Sequence, residues 1–221
     1  MRLLCVSDIH GKYGRVVELL RNIEVYDVLL ISGDITHLGG YEECEEVVSP
    51  FLSVGAEYRA TTLAVPGNMD RPEVLDCLRN IGINLNGDGV VVGDVGFMGV
   101  GGSNKTPFST PNELSDSEMV ELLNSGYRKI LEAKKKVLVS HAPPKGTKLD
   151  RSFIGFHAGS RVVRNFIEER DIDLCLCGHI HESRGEELLG KCICVNPGPL
   201  KEGYYVIIDI EEKIKVTWRK L

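Results

Sequence analysis

Five short apolar runs, each stopping at a polar cluster, limit most what this chain can fold into. Arg2–Ser7, Asp27–Ile31, Thr61–Val65, Lys136–Val139 and Asp173–Cys177 are four to six residues long and rich in Val, Leu and Ile. Runs that short and apolar on both faces read as strands buried in a parallel sheet. Between them lie longer amphipathic stretches, Arg15–Asn22, Tyr41–Leu52, Pro72–Asn80, Asp116–Ala133 and Ser160–Arg170, which read as the helices of crossover connections. Pro72 suits a first helical position, and Ser115 with Glu118 three residues later forms a capping-box pattern. Gly89–Gly102 and Lys191–Trp218 hold successive apolar runs with no helix between, so antiparallel strands are expected to extend the parallel sheet.

The residues at which the strands stop carry the chemistry. The first strand runs into Asp8-Ile9-His10-Gly11, the second into Gly33-Asp34, and the third into Gly67-Asn68-Met69-Asp70. The fourth reaches Ser140-His141-Ala142-Pro143 and the fifth Gly178-His179-Ile180-His181. Ligands of open α/β sheets bind beyond the carboxyl ends of the strands, so Asp8, His10, Asp34, Asn68, His141, His179 and His181 are expected along one edge. That set is too large for one ion. Imidazole mixed with carboxylate and amide oxygen suits Mn, Fe or Zn better than the all-oxygen shells of Mg or Ca. Two ions ~3.5–4 Å apart sharing a carboxylate would clamp a displacement at phosphorus. Each pair alone reads as a turn or cap; five in order at strand ends do not.

The series "DIHG", "GDIT", "GNMD", "SHAP", "GHIH", spanning residues 8–181, resembles the calcineurin-like metallophosphoesterases, and "NPGP" at 196–199 resembles their small bacterial and archaeal members. The resemblance implies a four-layer αββα sandwich of two mixed β-sheets flanked by helices, the metallo-dependent phosphatase fold. It also implies two divalent metal ions, Mn first, with Fe, Ni, Zn and Mg as alternatives. Asp8, His10 and His181 are then expected to hold one ion, Asn68, His141 and His179 the other, and Asp34 to bridge. The implied reaction is hydrolysis of a small phosphate ester by hydroxide, with no protein nucleophile.

One position departs from the family pattern. Met69 stands where most members carry a histidine that stabilises the transition state or protonates the leaving oxygen, oriented by the acid that follows, here Asp70. A thioether has no proton to give. Loss of a general acid costs about 10²–10⁴-fold, most heavily for poor leaving groups. The expectation is therefore a phosphodiesterase rather than a phosphomonoesterase, with Asn68, Asp70 and Asp34 in the catalytic set. His37 and His157 are the two unassigned histidines, and each is a candidate substitute for the missing imidazole. A member inactive in catalysis, serving as a protein-interaction platform, is the alternative, although that reading predicts eroded ligands.

Composition narrows the setting. At 221 residues the chain is expected to form one domain over 1–221 and to bury roughly 70% of its unfolded surface. Twenty-six Lys and Arg against 32 Asp and Glu give a formal charge of −6, with no basic run beyond Lys134-Lys135-Lys136 and hence no strong nucleic-acid footprint. No apolar stretch reaches the ~18 residues of a membrane span, and Leu3–Ser7 is shorter than the ~7–15 residues of a signal-peptide core. Seven cysteines, an odd number, fit a reduced compartment, so a cytoplasmic protein is expected. Cys175-x-Cys177 and Cys192-x-Cys194 invite a zinc reading, but alternate residues in apolar strands read better as buried small hydrophobes. The long loops Gly101–Leu114 and Pro143–Phe156 flank the motifs; Lys105, Lys145, Lys148 and Arg151 there could meet phosphate, while Phe108, Phe153 and Phe156 could stack a base or pack the loops down. Homo-oligomerisation is left open.

Overall fold

The structure, a computed structural model, describes residues 1–106 and 108–221. Pro107, inside the first of the expected long loops, lies outside the described residues. The chain runs β1 (Arg2–Val6), α1 (Tyr13–Arg21), β2 (Val28–Ser32), α2 (Tyr41–Tyr58), β3 (Thr61–Val65) and α3 (Pro72–Asn80). It continues with β4 (Gly89–Val92), β5 (Val95–Val100), β6 (Ser103–Asn104), β7 (Glu113–Leu114), α4 (Asp116–Lys129) and β8 (Lys135–Ser140). The last part is α5 (Arg161–Glu169), β9 (Leu174–Leu176), β10 (Gly185–Leu189), β11 (Cys192–Asn196), β12 (Tyr204–Ile210) and β13 (Ile214–Lys220).

Apart from β6 and β7, which pair with each other in parallel, these strands form two mixed sheets. One has the order β13-β12-β1-β2-β3 and the other β10-β11-β9-β8-β5-β4. The single extended sheet that periodicity alone suggested is corrected to two, as the family resemblance implied. Strand alternation explains the layering, because successive side chains leave a strand on opposite faces. Leu3, Cys5, Val28, Leu30, Leu63 and Val65 point inward to meet Phe97, Val137, Val139, Leu174 and Leu176 of the second sheet. Leu4, Val6, Leu29, Ile31 and Ala64 face the other way, onto α1, α2 and α3. Met98, Leu138 and Cys175 pack against α4 and α5. Three apolar interfaces therefore separate four layers, and each Leu or Val buried in them contributes about 2 kcal/mol.

The capping predictions hold. Ser115 Oγ accepts from Glu118 N at 3.3 Å, and Ser115 N donates to the Glu118 carboxylate at 2.8 Å. Pro72 opens α3. Helix α2 outruns its expected end at Leu52, reaching Tyr58 and stopping where Arg59 turns left-handed, while α4 stops at Lys129, short of Ala133. The expected continuous meander over Lys191–Trp218 is broken in two. β11 lies parallel to β9, and Pro197, Gly198 and Pro199 then carry the chain to the first sheet, where β12 pairs antiparallel with β1 and β13. Proline cannot continue a ladder, so this segment ends one sheet and begins the other. Strand β10, an edge strand of alternating character, was not anticipated.

Candidate metal centre

The carboxyl ends of β1, β2 and β3 in one sheet meet those of β8 and β9 in the other. The first sheet supplies Asp8, His10, Asp34 and Asn68; the second supplies His141, His179 and His181. The sheets are stitched there by Gly178 N to His141 O, 3.0 Å, and by His179 N to Asp8 Oδ1, 3.2 Å. All seven sequence-predicted residues converge on this edge.

Two overlapping clusters result. In the first, the ligand atoms of Asp8, His10, Asp34 and His181 lie within 4.8 Å of one another. His10 Nε2 is 3.2 Å from His181 Nε2 and 3.6 Å from Asp34 Oδ2, and Asp8 Oδ1 is 3.2 Å from His181 Nε2. His10 is buried, and its Nδ1 has no hydrogen-bond partner. In the second cluster, Asn68 Oδ1 is 2.9 Å from His141 Nε2 and 2.8 Å from His179 Nδ1, while Asp34 Oδ1 is 3.4 Å from the same His141 nitrogen. His141 Nδ1 lies 2.8 Å from Ser32 O, which assigns its proton to Nδ1. With that proton on Nδ1, His141 Nε2 faces two oxygens, Asn68 Oδ1 and Asp34 Oδ1, and the donor set of each cluster, imidazole nitrogen with carboxylate or amide oxygen, fits a divalent metal.

Burial is the leading influence on these groups. It pushes the Asp34 carboxyl up to about 7 against the pull of His141, and the charges of Asp8 and Asp70 add to the rise. It pushes His10 and His179 down to about 3. Burial also works to raise Asp8, but the His181 hydrogen bond and the neighbouring imidazoles hold it below the ordinary carboxylate range. His181 moves upward because its hydrogen bond and charge interaction with Asp8 outweigh burial. His10 and His179 thus keep their lone pairs free at neutral pH, as ligation requires.

The local backbone is unusual. Asp8, His10, Asp34 and His179 all occupy the left-handed region, with φ of 52°, 49°, 48° and 68°. For residues other than glycine this costs of order 1–3 kcal/mol each and persists where the surroundings impose it, typically at functional sites. The glycine of "GNMD" has a specific cause. A Cβ on Gly67 would sit 2.0 Å from Asp34 Oδ1 and 2.1 Å from Asp34 N, so only glycine lets β3 deliver Asn68 beside Asp34.

Residue 69 acts through its backbone: Met69 N donates to Asp34 Oδ1 at 2.8 Å. Asp70, expected among the catalytic residues, is fully buried, and its oxygens are taken by four donors. These are Gly67 N at 2.7 Å, Ile35 N at 3.1 Å, and Thr36 N and Thr36 Oγ1 at 2.8 Å each. A carboxylate so engaged braces the loops carrying Asp34 and Asn68. His37 is exposed at the rim, its ring 6.0 Å from that of His10. His157 is bound through Nδ1 to the buried Asp150 at 2.6 Å, on a hairpin joined to the His181 segment by Ser183 Oγ to Arg151 O, 2.6 Å.

Other expectations resolve simply. Phe108, Phe153 and Phe156 are 84%, 93% and 71% exposed, so they do not pack the loops down. The seven cysteines are free and buried, and Cys175, Cys177, Cys192 and Cys194 all line the core under α4 and α5. Three supporting residues escaped sequence reasoning. Asn196 Nδ2 holds Ile180 O at 2.9 Å, Asn112 Nδ2 holds Gly67 O at 2.9 Å, and Ser32 O fixes the His141 tautomer. The "NPGP" resemblance could have flagged the first; nothing local marks the other two. Among the described residues no helix is long and apolar enough to cross a membrane.

With this geometry, comparison with known proteins is informative. The family model described as calcineurin-like phosphoesterase matches residues 1–183. An uncharacterized protein of Methanocaldococcus jannaschii, MJ1162, is 38% identical over 227 residues, covering 98% of this chain and 95% of that protein. The crystal structure of TT1561 from Thermus thermophilus superposes with a TM-score of 0.76 at 20% identity, covering 98% of each chain. A dimetal phosphatase from Danio rerio superposes with a TM-score of 0.69 at 12% identity, over 100% of this chain and 96% of the other. At those identities the two structures report the fold alone.

Proposed function

The chain belongs to the calcineurin-like phosphoesterase family, and on that premise we propose that it is a phosphodiesterase dependent on two divalent ions, manganese foremost. The observation that carries this reading is Asp34, one buried carboxylate whose two oxygens face the imidazoles of both clusters, His10 at 3.6 Å and His141 at 3.4 Å. Asp8, His10 and His181 would hold one ion, Asn68, His141 and His179 the other, with Asp34 shared. Two cations bound there would neutralise charge on a phosphate ester and supply hydroxide at neutral pH. The chain's own contribution is to keep His10 and His179 neutral by burial, and to aim Asp34 with the Met69 amide.

Diesters are favoured because no imidazole occupies position 69. His37, exposed beside His10, is the side chain nearest to serving a leaving oxygen, and His157, held by Asp150, stands on the neighbouring hairpin. Residues 1–221 act as one domain in this reading, and the seven free thiols fit a cytoplasmic setting. The test compares bis-p-nitrophenyl phosphate with p-nitrophenyl phosphate in the presence of manganese. Faster turnover of the diester is expected, Asp34→Asn should remove both metal uptake and turnover, and Met69→His should raise monoester cleavage. Faster monoester cleavage by the native chain would sink the diester reading. Absence of both metal and turnover would instead favour an interaction platform.

A further inference from the structure

A cavity of about 400 Å³ lies between the loops that follow β5 and β8. Its walls carry Lys105, Lys145 and Arg161 together with Asn104, against the single carboxylate of Asp116. Among the described residues none of the three cations is in an ion pair. Lys105 comes nearest: its charge helps lower the Glu118 carboxyl, which is held mainly by the Ser115 hydroxyl. Glu118 is engaged in that cap and takes no ion pair with the lysine. Cations left without counter-ions around a shared cavity define a place where an anion is missing.

A further feature points the same way. Helix α5 opens on the cavity through Gly159 and Arg161, and its first turn holds no acidic residue, with one of its N–H groups, Val163 N, capped by Ser160 Oγ at 3.3 Å. A ligand that offers negative oxygens meets the three cations and this helix end together, and a phosphate group has that character.

The cavity is tied to the metal centre by the chain itself. Lys145 follows His141 by four residues, and its N–H donates to Ser160 O at 3.0 Å, joining that loop to the start of α5. The loop carrying Lys105 is held to the "GNMD" turn by Asn112 N to Asn68 O at 3.0 Å and by Asn112 Nδ2 to Gly67 O at 2.9 Å. Both walls are therefore anchored on residues of the second cluster. Lys148 and Arg151, the other basic residues of the second loop, do not line the cavity.

We infer that the cavity is a second anion subsite, which takes a terminal phosphate of the substrate while the scissile phosphate sits at the metal clusters. The substrate class is then a phosphodiester bearing an additional phosphomonoester. This deepens the phosphodiesterase reading and rests on it for its catalytic part.

The subsite is tested first without metal. Pyrophosphate is titrated into chelator-treated protein by calorimetry, with no metal ion present to draw it to Asp8 and Asp34, and the cavity variants locate where it binds. Binding is expected, weakened about tenfold or more in Lys145→Ala and in Arg161→Ala, since each removes one charge-assisted contact. The second arm measures kcat/KM for dithymidine monophosphate and for the same diester bearing a terminal phosphate. The phosphorylated form should be preferred, and that preference should fall about tenfold in either variant while Lys134→Ala, paired with Asp94 far from the cavity, retains it. Failure of pyrophosphate to bind, or binding indifferent to both substitutions, overturns the subsite. Failure of the native protein to cleave either diester overturns the phosphodiesterase reading and leaves the pyrophosphate result to decide the subsite by itself.

Discussion

Asp70→Asn tests the brace at the metal centre most directly, because the substitution keeps shape and removes charge. Asp70 Oδ2 accepts from Gly67 N and Ile35 N, and Oδ1 accepts from Thr36 N and Thr36 Oγ1. An asparagine must present an amide NH₂ to one of these pairs. Facing Gly67 and Ile35, it would leave two backbone N–H groups unpaired. Facing Thr36, it leaves only Thr36 N unpaired, since the Thr36 hydroxyl can accept while donating to Gly39 O, 3.2 Å away. The second orientation is cheaper. It costs about 1–3 kcal/mol for one orphaned N–H, plus roughly 1 kcal/mol for each of two hydrogen bonds that lose their charged acceptor. The total is about 3–5 kcal/mol, a large part of the ~5–15 kcal/mol that holds a domain folded. Urea denaturation of the metal-free variant should show that loss, and titration with manganese should show weakened uptake, because the disturbed loops carry Asp34 and Asn68. A variant within about 0.5 kcal/mol of the native protein, with turnover lost, would refute the reasoning and return Asp70 to the chemistry.

Other consequences follow from the same structure. Gly67→Ala places a methyl group against Asp34 Oδ1 and N, and manganese affinity measured by calorimetry should fall about 10–100-fold, as for other groups that position metal ligands. Glu113 ties its loop through the Thr106 hydroxyl at 2.6 Å and through Thr106 N, Thr110 N and the Thr110 hydroxyl. The Thr106 hydrogen bond leads in lowering its carboxyl to about 2 from an ordinary 4.5. The folded value is depressed, so the stabilisation is complete above the ordinary value and is lost as pH falls toward 2. Pepsin cleavage at Phe108, scored against an unfolded control, should accelerate over that range, and Glu113→Gln should already be cleaved rapidly near pH 4.5. Equal rates for native protein and variant would exclude this latch.

The metal residues were readable because strand ends in a parallel sheet are marked by the end of an apolar run and, at Gly11, Gly33, Gly67 and Gly178, by a glycine that turns the chain. His141 and His179 could be named without knowing which strands were neighbours. The helix starts at Pro72 and Ser115 were equally local. Asp70 reads locally as the partner of an imidazole that Met69 replaces, whereas the partners Ile35 and Thr36 lie 35 and 34 residues earlier in the chain. The split into two sheets was hidden for a similar reason. Alternation along β1 shows that both faces are covered, but Leu3 and Leu4 carry no mark of whether a sheet or a helix covers them.

By itself, then, the order of residues determined the α/β class, the polar edge and the donor types collected there. Each of those depends on periods of two and 3.6 residues and on the chemistry of single side chains. Only the tertiary structure decided that Asp34 faces both imidazole groups, that four of the site residues turn left-handed, and that Met69 serves through its amide. It also decided that Lys105, Lys145 and Arg161 share one cavity. Those outcomes depend on distances between segments far apart in the chain, set by how two sheets pack through a common core, and no local pattern encodes them.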